Sequence, residues 1–206
     1  MSGNLPLQFF PEDEIADLNA ALSRCDEFND WFRDSVVCDE GGLPLLCYHG
    51  TDRDFEEFDP FLSRGGMHFG TLLQANNRLF GVDLDNPARR SGARLIPVYL
   101  RIRNPKRMKE QDAWGESQLS GIRDRGFDGV TYLNRREGLP FERFRELRDN
   151  GWMTGFGWPR IQKLSDDRFL DLVPEARDSH IVFDIDQIMT AERAWAMVGL
   201  TTAFTR

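Results

Sequence analysis

The chain has 206 residues, of which 40% are hydrophobic and 12% aromatic, and its formal net charge at pH 7 is −8. This length and apolar content suffice for a substantial core, and we expect a single domain over residues 1–206. The acidic charge argues against broad electrostatic binding to nucleic acid or to an anionic membrane.

No apolar run reaches the 18 residues of a membrane-spanning helix, and no secretory signal pattern is visible at the start. We therefore expect no membrane partner and a cytoplasmic location, in a host cell if the protein is delivered there. The three cysteines, Cys25, Cys38 and Cys47, have no metal-type spacing, and free thiols are the simplest interpretation.

The first third of the chain predicts a helical extension followed by two short strands. Apolar residues recur at helical spacing over 11–36, so we expect one long helix within an extension over 1–42. Residues 43–49 and 67–70 have the composition of strands. A helix that starts after Thr71 and a polar loop over 81–93 follow.

The middle of the chain holds the clearest period-two pattern. Apolar residues alternate with others over 96–102, which predicts a strand. Pro97 places that strand near a sheet edge or at a strand start. A helix over 111–124 and a strand over 130–133 are expected next.

A polar, aromatic-rich stretch over 138–177 interrupts this pattern and is interpreted as an insertion. Within it we expect helices near 140–149 and 165–172, joined by a Gly/Trp loop that contains Trp152. This loop is interpreted as core or partner surface, with a lid as the alternative. A strand at 180–185 returns the chain to the core, assigned to 43–137 and 178–199. Short strands that alternate with helices predict an α+β fold.

All three histidines lie in or beside strand-like segments. His49 is followed by Gly50 and Thr51, so an imidazole stands beside backbone that a ligand can approach closely. His68 lies between glycines, and His180 begins a strand. A core role is the alternative for His49, is equally natural for His68 and is the preferred interpretation of His180. A shared metal site would lack the usual ligand spacing.

Four stretches, taken together, resemble the ADP-ribosyltransferase superfamily. They are most similar to its branch with a histidine in the first motif, which includes diphtheria-toxin-like and poly-ADP-ribose polymerase-like enzymes, and within it to the domains of phage and mobile-element polyvalent proteins. In the order that the family uses, they are Tyr48–Thr51, Gly66–Thr71 with Gln74 and Ala75, Phe127–Asn134 with Glu137, and Asp178–Asp184 with Gln187 and Ile188.

The resemblance implies a split β-sandwich that clamps NAD without a metal. It assigns His49 to the adenosine ribose as a hydrogen-bond donor, and the backbone at Gly50, beside Thr51, to the nicotinamide amide. His68 occupies the place of the family's stacking tyrosine, and Phe69 lies next to it.

The family's catalytic glutamate is replaced at its usual place by Ser179. The acid of the polyvalent-protein members stands in an Asn-x-x-Glu string, which here ends at Glu137. We therefore expect Glu137 to be the catalytic acid, with Asp178 as the second candidate. A solvated turn is the alternative for Glu137.

The activity implied is NAD-dependent mono-ADP-ribosylation of a macromolecule, most simply a protein, in phage–host or bacterial effector conflict. Cleavage at the ribose develops positive charge, which a carboxylate stabilises, and nicotinamide leaves without protonation. Two alternatives share the site: a domain that binds without catalysis, and an NAD hydrolase. The insertion is the candidate for target recognition.

Overall fold

The computed structural model describes residues 12–53, 55, 58–59, 66–80, 93–111, 113–153 and 159–200. The predicted loop over 81–93, apart from Ala93, and most of the predicted Gly/Trp loop lie outside these residues. In the described part of the chain, eight helices and seven strands form a mixed α+β structure, as predicted. The helices are α1 Glu12–Leu22, α2 Asp26–Phe32, α3 Leu72–Phe80, α4 Glu116–Arg123, α5 Phe141–Asp149, α6 Pro159–Lys163, α7 Asp166–Leu172 and α8 Ala191–Met197. The strands are β1 Cys47–Thr51, β2 Met67–Phe69, β3 Arg94–Leu100, β4 Pro105–Arg107, β5 Gly129–Leu133, β6 Asp178–Val182 and β7 Ile188–Thr190.

The N-terminal extension forms two helices, so the prediction of one helix over 11–36 was wrong. The break follows Leu22, and Asn29 Nδ2 donates to the carbonyl oxygen of Ser23 at 2.8 Å, which satisfies a carbonyl that a continuous helix would use. Asp26 and Glu27 then supply the acidic first turn of α2. Both helices pack on α8, where Trp195 is fully buried.

The first sheet has three strands in the order β1-β3-β7, all antiparallel. Its middle strand is β3, so the prediction that Pro97 marks a sheet edge or a strand start was wrong. The proline is tolerated because β7 pairs only with Val98–Leu100, and Pro97 itself pairs with β1 alone. Strand β1 also begins later than predicted.

The second sheet has four strands in the order β2-β6-β5-β4. Its centre, β5 and β6, is antiparallel and almost wholly buried. Strand β4 was not predicted, because Asn104 and Pro105 were taken to end the preceding strand. Instead, Pro105 is the first residue of a three-residue edge strand parallel to β5. Proline has no amide hydrogen to donate, and the first position of an edge strand tolerates this.

The two sheets meet where β1 passes β2. Tyr48 and Gly70 exchange two backbone hydrogen bonds, of 2.7 and 3.1 Å. Gly70 is required at this junction, because a Cβ there would collide with the side-chain oxygen of Gln74 and crowd Ser179. The junction brings β1, β2 and α3 together beside the ends of β5 and β6.

The stretch 138–177 carries α5, α6 and α7 around its own apolar cluster, which includes Leu147, Ile161 and Phe169. Helix α6 was not predicted. The cluster is tied to the core by Arg135, which follows β5 and is 1% exposed. Its guanidinium donates to the carbonyl oxygens of Ile161 and Leu164 at 2.8 and 2.9 Å, and it pairs with Asp166 at 2.6 Å.

Two further properties concern the whole described chain. The three cysteines are free thiols, as predicted, and burial raises the pKa of Cys47 to about 12. None of the helices in the described ranges has the length and apolarity needed to cross a membrane.

Candidate active site

A cavity of about 500 Å³ opens beside the junction of the two sheets. This volume is within the range typical of small-molecule sites. Its lining falls into two groups. The histidine wall consists of His49, Phe58, His68 and Phe69. The carboxylate wall consists of Glu110, Trp114, Tyr132 and Glu137.

His49 lies on β1, and its ring orientation is set by one backbone contact. Its Nδ1 is 2.8 Å from the carbonyl oxygen of His68. A carbonyl only accepts, so Nδ1 carries the hydrogen and Nε2 remains for a ligand. Burial lowers the pKa of His49, the backbone hydrogen bond opposes this, and Arg78 adds to the lowering.

This arrangement bears on the role expected for His49, that of a hydrogen-bond donor. A neutral imidazole whose Nδ1 hydrogen is already engaged presents a lone pair at Nε2. In this form the ring can accept a hydrogen bond at Nε2, and it can donate from Nε2 only when protonated.

Aromatic rings enclose His49. The centroids of Phe58 and Phe69 both lie 5.4 Å from the imidazole centroid, at interplanar angles of 74° and 48°. Phe69 is 3% exposed, so it forms the base of the wall and offers little surface to a ligand. Neighbouring His68 lines the cavity, and burial, with smaller contributions from Arg78 and His49, lowers its pKa to about 4.

Gly50 and Thr51 also line the cavity, and each also has a structural role. A Cβ at position 50 would collide with the backbone oxygen of Ala75, so glycine is needed for α3 to pack on β1. Thr51 is 8% exposed, and its hydroxyl accepts the amide hydrogen of Arg53 at 3.1 Å.

The carboxylate wall depends on a fully buried asparagine, Asn134, which follows β5. Its side-chain oxygen accepts the amide hydrogens of Arg136, Glu137 and Gly138 at 3.1, 2.8 and 3.1 Å, which closes the tight turn 134–138. Its Nδ2 donates to Glu137 Oε2 at 3.1 Å. The spacing in the Asn-x-x-Glu string therefore has a geometric cause: the asparagine both shapes the turn and holds the acid.

Ser179, which stands where the family's usual acid would be, belongs to the same network. Its hydroxyl accepts from Asn134 Nδ2 at 2.9 Å and donates to Gln74 Oε1 at 2.9 Å. Because β5 and β6 are adjacent strands, the turn after β5 lies beside Ser179. The carboxylate of Glu137 thus reaches the cavity from the neighbouring strand.

Glu137 is partly buried, with 25% of its side chain exposed. Its Oε1 accepts from Arg78 at 3.1 Å, and its backbone oxygen accepts from Asn77 at 2.7 Å. These contacts speak against the alternative that Glu137 belongs to a solvated turn.

Asp178 and His180 lie on the other face of β6. Neighbouring strand residues point to opposite faces, and Ser179 between them faces the cavity. Asp178 pairs with Arg107 at 2.5 Å, so the structure does not bring this candidate acid to the cavity. His180 contacts the hydroxyl of Thr131 at 3.1 Å, and burial lowers its pKa to about 4.

Sequence reasoning missed Glu110 and Trp114. Glu110 stands between β4 and α4, and its Oε2 accepts the amide hydrogen of Arg135 at 2.9 Å. Burial is the main cause that raises its pKa to about 7, and the charge of Glu137 adds to it. Trp114 packs on Tyr132 with a centroid distance of 5.1 Å. No local pattern marks either residue, since both come from an irregular segment.

The cavity therefore combines a neutral imidazole, an ion-paired carboxylate, a second carboxyl group and aromatic walls. Within the described residues, no group of three or more histidine, cysteine, aspartate or glutamate side chains could hold a metal ion. Such a set suits an organic ligand that carries hydroxyls and a centre of developing positive charge.

Comparison with protein families gives an assignment that agrees with this geometry. The model of the family described as ADP-ribosyltransferase in polyvalent proteins matches residues 39–194. The chain belongs to this family. Membership supports ADP-ribosyl transfer as the general chemistry, and the resemblance identified from the four sequence stretches is confirmed. No curated protein and no solved structure gives a match.

The matched range begins directly after Cys38, ends within α8 and includes both walls of the cavity. It also spans the stretch 138–177. The histidine wall and the carboxylate wall are therefore both parts of the family's domain.

Proposed function

We propose that this domain is an NAD-dependent mono-ADP-ribosyltransferase that modifies a macromolecule, most simply a protein. The observation that carries the proposal is the meeting of His49 and Glu137, 88 positions apart in the sequence, at one cavity. In the same proposal, the two sheets joined at Tyr48 and Gly70 form a split β-sandwich around NAD.

In this proposal His49 positions the substrate. The lone pair at Nε2 accepts a hydrogen bond from a ribose hydroxyl, and the phenylalanines hold the ring still. The backbone at Gly50, beside Thr51, holds the nicotinamide amide, and His68 provides a flat surface for the nicotinamide ring. A pKa of about 4 supports that stacking role, because His68 then stays uncharged beside a cationic ring.

Glu137 supplies the electrostatic contribution. Cleavage of the bond between ribose and nicotinamide develops positive charge on the sugar, which a fixed carboxylate stabilises. Asn134 and Arg78 hold that carboxylate in place before the substrate arrives, so little reorganisation is needed during the reaction. Nicotinamide leaves as a neutral molecule and requires no acid.

The target is proposed to be a protein bound with the help of the stretch 138–177. That stretch begins directly after Glu137 and has its own apolar core, which supports a role beside the reacting end of the site. The proposed setting, phage or mobile-element conflict within a cytoplasm, comes from the sequence resemblance, and the acidic net charge favours protein over nucleic acid as the acceptor.

The test is incubation with labelled NAD and a cell lysate, with nicotinamide release and NAD affinity measured in parallel. The proposal expects NAD binding, nicotinamide release and labelled macromolecules. Release without labelled macromolecules would instead indicate an NAD hydrolase, and binding without release would indicate a binding module. Absence of NAD binding would overturn every form of the proposal.

A further inference from the structure

The cavity contains a second carboxyl group that the roles above do not use. Glu110 comes from the irregular segment between β4 and α4, and it lines the same cavity as Glu137. The two carboxyl groups are held by consecutive residues of one turn. The side chain of Asn134 binds Glu137, and the backbone amide of Arg135 binds Glu110.

The two groups differ in how fully they are engaged. Both carboxylate oxygens of Glu137 have partners, Arg78 at Oε1 and Asn134 at Oε2. In the part of the chain that the structure describes, the carboxylate of Glu110 accepts one hydrogen bond, at Oε2. Its Oε1 is thus available to a group that enters the cavity.

We propose that Glu110 is a second catalytic residue, the one that takes the proton of the acceptor group, whereas Glu137 stabilises the ribose. This inference rests on the proposed function. The C1′–N1 bond of NAD breaks and its electron pair leaves with nicotinamide. A lone pair of the acceptor's O–H or N–H group forms the new bond to C1′, and the proton of that group moves to Oε1 of Glu110.

The electrostatic surroundings of Glu110 fit this division. Among the described residues, the charged and titratable groups that act on it are Glu137, Arg135 and Arg136 of the turn 134–138 and Tyr132 of β5. A pKa of about 7 makes the carboxyl group a proton acceptor matched to neutral pH. Glu137 is instead bound at both oxygens, by a guanidinium and an amide.

The test compares the wild-type protein with Glu110→Gln, whose side-chain oxygen can still accept the hydrogen bond from Arg135. Glu116→Gln is the matched control, because Glu116 is exposed in the first turn of α4. The transfer of label from NAD to lysate proteins is measured at varied NAD concentration and from pH 5.5 to 8.5. NAD affinity is measured separately by titration calorimetry.

We expect Glu110→Gln to lower the maximal transfer rate about 100-fold, with less than about a twofold change in the KM for NAD. The wild-type rate should rise with pH up to about 7 and then level off, and the variant should lose this rise. Glu110→Asp should keep the rise at a reduced rate. The control should match the wild type throughout.

Two results would overturn the inference for Glu110 alone: an active wild type with an equally active Glu110→Gln, or a variant whose loss lies entirely in NAD affinity. A wild type that neither releases nicotinamide nor labels protein would overturn the proposed function, and this inference with it. If Glu110→Gln fails to fold by circular dichroism, the pH profile of Glu110→Asp decides, and a profile without the rise would refute the role.

Discussion

The two walls of the cavity are built on different physical principles. The histidine wall is an aromatic cluster in which one backbone hydrogen bond orients His49 and the packed rings of Phe58 and Phe69 hold it in place. The carboxylate wall is a polar network in which buried Asn134 makes hydrogen bonds in several directions. Packing provides a neutral, shaped surface, whereas the network keeps charge fixed in a partly buried place. The comparison indicates that shape and charge come from separate parts of the chain.

The largest expected effect comes from removal of the charge on the carboxylate wall. Glu137→Gln keeps the shape of the side chain and its contact with Asn134 but loses the negative charge opposite the ribose. We expect the rate of label transfer to fall about 1,000-fold, which corresponds to about 4 kcal/mol of transition-state stabilisation. Asp178→Asn is the control, since its carboxylate pairs with Arg107 outside the cavity, and its rate should stay within about twofold of the wild type. Equal losses in both variants would refute the choice of Glu137.

The network itself is broken by Asn134→Ala. The substitution leaves three backbone amides without their acceptor and removes one of the two hydrogen bonds of the Ser179 hydroxyl, and buried unpaired groups are costly. We expect a loss of about 3 kcal/mol in the free energy of unfolding, measured by denaturant titration, together with loss of transfer. Asn150→Ala, at an exposed helix end, should change stability by less than about 0.5 kcal/mol. A fully stable Asn134→Ala would show that the turn holds without its asparagine.

The histidine wall should respond in affinity more than in rate. His49→Ala removes the Nε2 acceptor and loosens the surrounding rings, so we expect about tenfold weaker NAD binding by calorimetry. His180→Gln provides the contrast, because His180 lies on the other face of β6 and should influence stability alone. Unchanged NAD affinity in His49→Ala would count against the ribose contact.

The smallest expected effect is a difference in the pH dependence of thermal stability between the wild type and Glu110→Gln. The pKa of Glu110 is raised from 4.5 to about 7, so its contribution to stability is lost as pH rises through that interval. The pKa values of His68 and His180 are lowered from 6.5 to about 4, so their contributions are lost as pH falls through that interval. The opposite signs partly cancel in the wild type. In thermal melts from pH 7 to 5, Glu110→Gln should therefore lose a few more degrees of Tm than the wild type, and parallel curves would contradict this.

The parts of the fold that repeat a simple pattern were predictable. The period-two stretch around Val98 and the buried run of β5 are strands, and Thr71 precedes a helix, because side-chain alternation and turn residues are local properties. The break after Leu22 and the middle position of β3 were not predictable. Each depends on a partner distant in the sequence, α8 in one case and β7 in the other.

The same distinction holds for the site. His49 and Glu137 could be proposed because each stands in a short string, and both line the cavity. The sequence could not show whether Asp178 or Ser179 faces the cavity, since only the register of β6 decides which of two neighbours points inward. Glu110 could not be identified as a cavity residue from the sequence, because its position depends on the fold of an irregular segment around the backbone of Arg135.

The buried guanidinium of Arg135 has a consequence for protein engineering. It connects the backbone of the turn 134–138 to carbonyl oxygens at Ile161 and Leu164 and to Asp166, all inside the stretch 138–177. A chimera that exchanges this stretch for that of a relative, in order to redirect the enzyme to a new target, must therefore preserve these three acceptors. A graft without them would leave the buried guanidinium of Arg135 without hydrogen-bond partners and disturb the turn that carries Glu137. A change of the stretch 138–177 therefore has to be designed together with the turn that carries Glu137.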